Sequence, residues 1–201
     1  GPTLAVAELT LGLILTLLRQ VPHQDRELRS GVWKKRMGNL LHGKNVGIVG
    51  FGKIGQAVAH LLEPFGVNVG YHDPFADVPG YTRLELDDLM GWADVITLHC
   101  PKTENGAPLL DLGRLSLMRP GSIILNIARG GLIDEAALLT ALREKRIYGA
   151  GIDVFSSEPP AEKEWYTLDN IVMGSHTSSS TVDTTNRQGK MCVDALLAAK
   201  L

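Results

Sequence analysis

The chain has 201 residues, of which 44% are hydrophobic and 21% charged, an ordinary composition for one globular α/β domain. Its formal net charge is −2, so it shows neither the basic patch typical of a nucleic-acid partner nor a polybasic signal for a membrane surface. Its two cysteines, Cys100 and Cys192, are too few for a disulfide framework or a metal cluster. We expect both thiols to be reduced and packed in the fold, which favours a cytoplasmic protein without a metal site.

The chain begins with an apolar stretch. Thr3 is a candidate N-cap, and residues 4–18 are rich in leucine. The stretch contains Glu8, is too short for a membrane span, and has no basic leader of the kind found in signal peptides. We expect a helix buried on most sides, either inside the fold or against a second subunit. Residues 21–45 are polar and mixed, which predicts a short helix followed by a loop.

Residues 46–73 (VGIVGFGKIGQAVAHLLEPFGVNVGYHD) contain the strongest pattern in the chain. They read as a strand, a glycine turn, a helix, a second strand and an acid, which is the dinucleotide-binding fingerprint in its required context. Gly50 permits the tight turn. Gly52 lets the backbone approach a pyrophosphate, and Gly55 lets the helix pack closely on the strand. The N–H groups and the positive dipole end of the helix would face the phosphates.

The acid that ends this pattern predicts which dinucleotide binds. Asp73 lies 18 residues after Gly55 (73 − 55), where a carboxylate can accept hydrogen bonds from a ribose 2′-OH. The 2′-phosphate of NADP would face that carboxylate, so the sequence predicts NAD as the cofactor.

The remaining chain alternates apolar runs with helical patterns. Asp134 is a good N-cap, and residues 180–183 are typical of a capping box that opens a final helix towards residue 200. The predicted helices cover residues 86–90, 112–118, 134–145 and 180–200, and the later predicted strands cover residues 94–101, 122–126, 149–154 and 170–173. This order predicts a Rossmann-type, doubly wound parallel sheet of about six strands with helices on both faces. Ligands in such sheets bind at the carboxyl ends of the strands.

Polar side chains at those strand ends form a complete set for redox chemistry. Arg129 could hold a carboxylate through a forked contact, His176 could move a proton at neutral pH, and Glu158 could fix the tautomer of the imidazole. Beside a nicotinamide, this set suits alcohol oxidation or ketone reduction. Plainer interpretations stay open: Arg129 could form a surface salt bridge, and Glu158 could belong to an ordinary loop. Asp153 could cap a turn, His176 could face solvent, and we expect a structural role for His99.

Over nearly its whole length the chain resembles the D-isomer-specific 2-hydroxyacid dehydrogenases. The matching motifs are residues 5–9 (AVAEL), residues 31–33 (GVW), the fingerprint with Asp73, residues 126–131 (NIARGG) with Asp134, residues 151–155 (GIDVF), Glu158-Pro159 and His176. Within the family, residues 158–160 and 178–181 are most similar to members that oxidise D-3-phosphoglycerate in serine biosynthesis. The family usually has proline before the histidine, where this chain has Ser175, so the loop is expected to be less rigid.

The resemblance implies roles for individual residues. His176 would be the general acid/base, Glu158 would support it, and Arg129 would bind the carboxylate and carbonyl of a 2-hydroxyacid or 2-oxoacid substrate. The implied cofactor contacts are Gly50, Gly52, Lys53, Ile54 and Gly55 around the pyrophosphate, Asp73 on the adenosine ribose, Pro101 along the cofactor, Ala128 and Asp153 on the nicotinamide carboxamide, and Arg129 and His176 beside the nicotinamide.

The resemblance also bears on domain organisation and partners. Family members carry a substrate-binding domain on either side of the matching region, so we expect residues 1–201 to be the NAD-binding domain, and to turn over weakly or not at all alone. The family usually dimerises through this domain, and a homodimer is expected. Two other functions stay open: a sister reductase acting on glyoxylate or hydroxypyruvate, and an NAD-sensing corepressor that acts by binding other proteins.

Overall fold

A computed structural model describes residues 2–199 of the chain. The helices are α1 (Thr3–Leu18), α2 (Val21–Arg29), α3 (Lys53–Leu62), α4 (Leu86–Trp92), α5 (Leu112–Leu117), α6 (Glu135–Arg143) and α7 (Val182–Ala198), with short 3₁₀ turns at Glu63–Phe65 and Lys163–Tyr166. The strands are β1 (Asn45–Val49), β2 (Asn68–His72), β3 (Thr82–Arg83), β4 (Val95–Leu98), β5 (Ile123–Asn126), β6 (Gly149–Ile152) and β7 (Ile171–Met173).

All seven strands form one parallel sheet in the order β3-β2-β1-β4-β5-β6-β7. The doubly wound parallel sheet is confirmed, but the expected count of about six strands was one too low. The missed strand is β3, a two-residue edge strand that follows a loop rich in proline and glycine. Two residues are too few to show alternation in a sequence, so only pairing with β2 reveals the strand.

The sheet is covered by helices on both faces, as predicted. On one face, α4, α5 and α6 bury leucines such as Leu89, Leu115 and Leu138. On the other face, α1 and α3 pack together and bury Ile14 and Val58 against the sheet. Burial on both sides explains why the central strands read as continuous apolar runs rather than alternating patterns.

Helix α1 is buried on most sides within the fold itself. Its exposed residues are Leu4, Glu8 and Gly12, which form one stripe at helical spacing. Buried Thr10 donates its hydroxyl to the carbonyl of Val6 at 2.7 Å, which satisfies the one polar group on the buried face. The predicted N-cap was wrong. Pro2 occupies that position without a side-chain hydrogen bond, and Thr3 is the first helical residue.

The other predicted helix starts have mixed outcomes. Asp134 caps α6 as predicted, accepting from the backbone N–H of Ala137 at 3.0 Å. Helix α7 is capped by Thr181, which accepts from Thr184 N at 3.0 Å, so the capping box placed at residues 180–183 was one residue too early. No described residue of α7 is buried. Cys192 is therefore exposed rather than packed, whereas Cys100 is partly buried.

Within residues 2–199, no single helix is long and apolar enough to cross a bilayer. Helices α1 and α2 taken together reach the length and composition of a membrane span, but the two helices meet at a bend of 60°. In the same part of the chain, no group of three or more His, Cys, Asp or Glu side chains could hold a metal ion.

Candidate dinucleotide and catalytic site

The glycine turn after β1 is built by close approach of backbone to backbone. Gly50 has φ of +90°, and a Cβ there would lie 2.7 Å from the carbonyl of His99 at the end of β4. A Cβ on Gly55 would overlap the carbonyl oxygen of Gly50. Gly52 precedes α3, where a Cβ would point into open space. The sequence therefore needs glycine at Gly50 and Gly55 to pack the turn, and Gly52 leaves the helix end open.

Asp73 ties the end of β2 to the glycine turn. Its Oδ2 accepts the backbone N–H of Phe51 at 2.7 Å, and its Oδ1 accepts those of Phe75 and Ala76 at 2.8 and 3.0 Å. Partial burial raises the pKa of Asp73, but the three backbone N–H groups outweigh that effect and the net shift is downward. The carboxylate is therefore ionised at neutral pH and held at the edge where β1 and β2 end.

His99 and Cys100 line the same edge at the end of β4. Burial lowers the pKa of His99 to about 4, so the ring is neutral near pH 7, and its Nε2 lies 2.9 Å from Thr97 Oγ1. This packing supports the structural role expected for His99. Burial raises the pKa of Cys100 to about 11, and the nearby charge of Asp73 adds to the rise. Pro101 follows and is exposed.

Arg129 is carried by a loop that Asn126 stiffens. The buried Asn126 side chain accepts from Ala128 N at 3.2 Å and donates to the carbonyl of Arg129 at 2.9 Å. Arg129 is exposed, and its Nη1 donates to the Ala128 carbonyl at 2.7 Å. No ion pair within residues 2–199 includes Arg129, which removes the support for a surface salt bridge there. A Cβ on Gly130 would overlap the carbonyl of Phe155, so this loop packs directly against the loop after β6.

Glu158 and His176 form a hydrogen-bonded pair. His176 Nδ1 lies 2.9 Å from Glu158 Oε2, and Glu158 Oε1 accepts the backbone N–H of Phe155 at 3.2 Å. The hydrogen bond from His176, followed by the one from Phe155, lowers the pKa of Glu158. An ionised Glu158 places the proton of a neutral imidazole on Nδ1, which leaves Nε2 for a substrate. The side chains are 40% and 48% exposed, so both are accessible.

Asp153 holds the loop that presents His176. Its side chain is buried, and its two carboxylate oxygens accept the backbone N–H groups of Thr177 at 3.0 Å and Ser178 at 2.8 Å. Its carbonyl accepts from His176 N at 2.8 Å, and His176 itself has φ of +59°. A Cβ on Gly174 would overlap Asp153 Oδ1. This loop-holding role was not predicted, and no local pattern could have revealed it, because the partners lie more than 20 residues apart.

A cavity of about 350 Å³ adjoins the hydrogen-bonded pair of Glu158 and His176. Its lining is mostly apolar: Phe155, Pro159, Pro160, Tyr166 and Met173 surround Glu158 and His176. A second cavity, of about 280 Å³, lies at the opposite edge of the sheet and is lined by residues such as Gln20, Lys145 and Tyr148. Because parallel strands place their ligand-binding loops at the carboxyl edge of the sheet, we assign the functional site to that edge, where the first cavity lies.

Comparison with known proteins identifies the family. Residues 11–178 match the family described as D-isomer specific 2-hydroxyacid dehydrogenase, NAD binding domain. The chain belongs to this family.

Individual relatives show how much of a whole protein the chain represents. The chain is 41% identical over 192 residues to D-3-phosphoglycerate dehydrogenase of Mycobacterium tuberculosis, covering 92% of this chain and 36% of that protein. A crystal structure of the TT0316 protein from Thermus thermophilus superposes with a TM-score of 0.92 at 40% identity, covering 98% of this chain and 65% of that one. An NADPH-dependent glyoxylate/hydroxypyruvate reductase from Sinorhizobium meliloti, solved with NADP and malonate, has a TM-score of 0.89 at 33% identity, over 98% and 64% of the two chains. The chain thus spans about a third of the length of the curated relative.

The residues at the glycine turn fit the dinucleotide that defines this NAD-binding family. The first turn of α3 has no side-chain cap, so the backbone N–H groups around Lys53 and Ile54 are available to a pyrophosphate. The open position at Gly52 leaves room for it, and Asp73 stands at the end of β2. The individual contacts predicted for Lys53, Ile54, Pro101, Ala128 and Asp153 stay predictions.

Proposed function

We propose that the chain is the cofactor-binding domain of an NAD-dependent dehydrogenase that interconverts a D-2-hydroxyacid and its 2-oxoacid. The observation that carries the proposal is the 2.9 Å contact between His176 Nδ1 and Glu158 Oε2, on loops at the same sheet edge as the dinucleotide turn. An imidazole held in this way is the expected acid/base for proton transfer to or from an alcohol oxygen.

Each residue of the site would have a separate role in the proposed reaction. NAD, when bound, supplies the hydride acceptor. His176 Nε2 would take the proton of the C2 hydroxyl, and Glu158 would stabilise the resulting imidazolium through Nδ1. Arg129 would hold the substrate carboxylate with its forked guanidinium and polarise the carbonyl oxygen in the reverse direction. Asp153 would act through the loop it holds, by keeping His176 in position.

We propose D-3-phosphoglycerate as the substrate. The support is the 41% identity to D-3-phosphoglycerate dehydrogenase of M. tuberculosis. A second candidate, reduction of glyoxylate or hydroxypyruvate, is supported by the likeness to the S. meliloti reductase.

The length of the relatives supports a proposal about domain organisation. Because the chain spans 36% of the M. tuberculosis enzyme, we propose that residues 1–201 form the NAD-binding domain and that the substrate-binding part belongs to the rest of a longer protein. A domain that closes on the cofactor normally excludes water from the site. The 201-residue chain should therefore bind NAD but turn over slowly. Both described cysteines are free, which agrees with the cytoplasmic location we propose.

We also propose that the chain forms a homodimer. The apolar face of α1 is used inside the fold, whereas residues 32–40 expose large apolar side chains, including Trp33 at 82% and Met37 at 90%. A cluster of this kind is typical of a protein contact. Sedimentation should give a dimer, and Trp33→Ser with Met37→Ser should shift it to monomer, whereas Leu112→Ser, a matched exposed site on α5, should not. A wild-type monomer at high concentration would contradict the dimer.

The function is tested by two measurements. Calorimetric titration of the chain with NAD and with NADP should show clear NAD binding and much weaker NADP binding. A steady-state assay of the full-length parent should then show oxidation of D-3-phosphoglycerate. Faster turnover of glyoxylate or hydroxypyruvate would favour the second candidate, and the absence of redox turnover on all three substrates would overturn the enzyme proposal in favour of a corepressor-like role.

A further inference from the structure

The guanidinium group of Arg83 lies beside the turn that presents Asp73. Arg83 ends β3, which pairs with β2 in register Tyr71↔Arg83, so both strands finish at the same sheet edge. Arg83 Nη2 donates a hydrogen bond to the carbonyl of Pro74 at 3.1 Å. Pro74 directly follows Asp73, and the next residue, Phe75, donates its backbone N–H to Asp73 Oδ1 at 2.8 Å. The guanidinium group is therefore hydrogen-bonded to the residue that follows Asp73, whose carboxylate is predicted to contact the adenosine ribose.

The guanidinium has unused donors. Arg83 is exposed, and its one side-chain hydrogen bond within residues 2–199 is the one to Pro74. No ion pair in that part of the chain includes it. A guanidinium carries five N–H donors and stays protonated at all working pH values. Its planar fork matches the oxygens of a phosphate.

Asp73 and Arg83 act in opposite directions on a 2′-phosphate. The carboxylate, held by three backbone N–H groups, is a fixed negative charge that would accept a hydrogen bond from a ribose hydroxyl and would repel a phosphate there. The neighbouring guanidinium would attract that phosphate. Relatives of this fold differ in the form of the cofactor they bind: the S. meliloti reductase was solved with NADP and a formate dehydrogenase from Staphylococcus aureus with NAD.

We propose that Arg83 is a second determinant of cofactor choice, the residue that contacts the 2′-phosphate of a phosphorylated dinucleotide. Asp73 outweighs it in the natural chain, and removing the charge of Asp73 makes Arg83 the dominant contact. This inference rests on the proposed function, because it requires a dinucleotide at the glycine turn.

Calorimetric titration of four forms of the chain tests the proposal. Asp73→Asn keeps the shape and one acceptor oxygen of the side chain and should raise NADP affinity at least about tenfold, since one charge repulsion is removed. Adding Arg83→Ala in that background should lower NADP affinity by about tenfold to a hundredfold, the range of a charge-assisted phosphate contact, with NAD affinity unchanged within about twofold. Adding Arg83→Lys should give an intermediate affinity, because the charge stays and the fork is lost.

The matched control is Arg146→Ala in the same background. Arg146 is an exposed arginine in the turn before β6, at the opposite edge of the sheet, so its removal should leave NADP affinity unchanged. Asp73→Ser serves as a second background if the asparagine variant unfolds. Salt should weaken NADP binding more in the forms that keep Arg83.

The outcomes separate the two proposals. Equal NADP affinity with and without Arg83, or an equal loss in the Arg146 control, would overturn the role of Arg83 while wild-type NAD binding still supports the proposed function. Wild-type binding of neither dinucleotide would overturn both.

Discussion

The carboxyl edge of the sheet has two halves that are built differently. The cofactor half, at the ends of β1, β2 and β4, is made by backbone packing around the glycine turn and by one carboxylate that accepts backbone N–H groups. The chemistry half, at the ends of β5, β6 and β7, carries Arg129, Glu158 and His176 on separate loops; a side-chain hydrogen bond joins the loops of Glu158 and His176, and the Arg129 loop packs through Gly130 on the loop after β6.

The two halves differ in how tightly their functional groups are held. Both halves contain glycines with no room for a Cβ, Gly50 and Gly55 in the cofactor half and Gly130 and Gly174 in the chemistry half, but in the cofactor half the tightly packed turn itself would face the dinucleotide. In the chemistry half the paired Glu158 and His176 side chains are 40% and 48% exposed, and their positions depend on anchors behind them such as Asp153. A closely packed glycine turn beside an accessible Glu158–His176 pair agrees with the proposed function, in which another domain would close over the site.

The largest effect is expected from removing His176, the proposed acid/base of the chemistry half. His176→Ala should lower kcat of the full-length parent by about 10³-fold, because proton transfer loses its positioned base. NAD affinity of the chain, set mainly in the cofactor half, should change by less than about threefold, which corresponds to under ~1 kcal/mol. His60→Ala, an exposed histidine on α3, is the control and should change neither quantity. Normal turnover of His176→Ala would show that the acid/base is misassigned.

The junction between the Arg129 loop and the loop after β6 gives the next largest effect. A methyl group at Gly130 would overlap the Phe155 carbonyl, so Gly130→Ala should lower the free energy of unfolding by about 3 kcal/mol. Gly12→Ala on α1 is the matched control: a Cβ there meets nothing within 4 Å, and it should raise stability by about 0.5–1 kcal/mol. Denaturant titration measures both. Equal stability of the two variants would contradict close packing between the loops.

A substitution at Asp153 tests how the loop that presents His176 is held. Asp153→Ala leaves the N–H groups of Thr177 and Ser178 without their acceptor, and should cost about 2.5 kcal/mol of unfolding free energy. Turnover of the parent should fall because His176 is displaced, with Arg129 untouched. A variant with normal stability but weakened NAD binding would instead favour the cofactor contact predicted from family resemblance.

The smallest effect is a pH dependence located in the cofactor half. The folded protein keeps His99 neutral down to about pH 4, whereas the unfolded chain takes up a proton below its ordinary pKa of 6.5. The contribution of neutral His99 to the free energy of unfolding is therefore complete above pH 6.5 and is lost as the pH falls towards 4. We expect a loss of about 2 kcal/mol, less than the full pKa shift corresponds to, because the residue is partly exposed. His99→Gln should remove this loss. The lowered pKa of Glu158 acts at more acidic pH, so an unchanged slope between pH 6.5 and 4 in His99→Gln would contradict the assignment.

Prediction from sequence was accurate where the determining interactions are local. The order of strands and helices and the Asp134 cap are encoded in apolar periodicity and in contacts three residues apart. The errors at Thr3 and at residues 180–183 arose where several neighbouring residues can cap a helix and the backbone chooses one. Strand β3 was missed because an edge strand of two residues is defined by its partner.

The sequence by itself determined the sheet class, the glycine turn and the residue types available at the strand ends, because these follow from chain-local patterns of burial and backbone freedom. Only the tertiary structure decided that Glu158 contacts His176, that Asp153 holds the His176 loop, that Gly130 packs on Phe155, and that Arg83 sits beside the Asp73 turn. Each of these contacts joins separate loops, so each exists only once the parallel strands have brought their carboxyl ends to one edge.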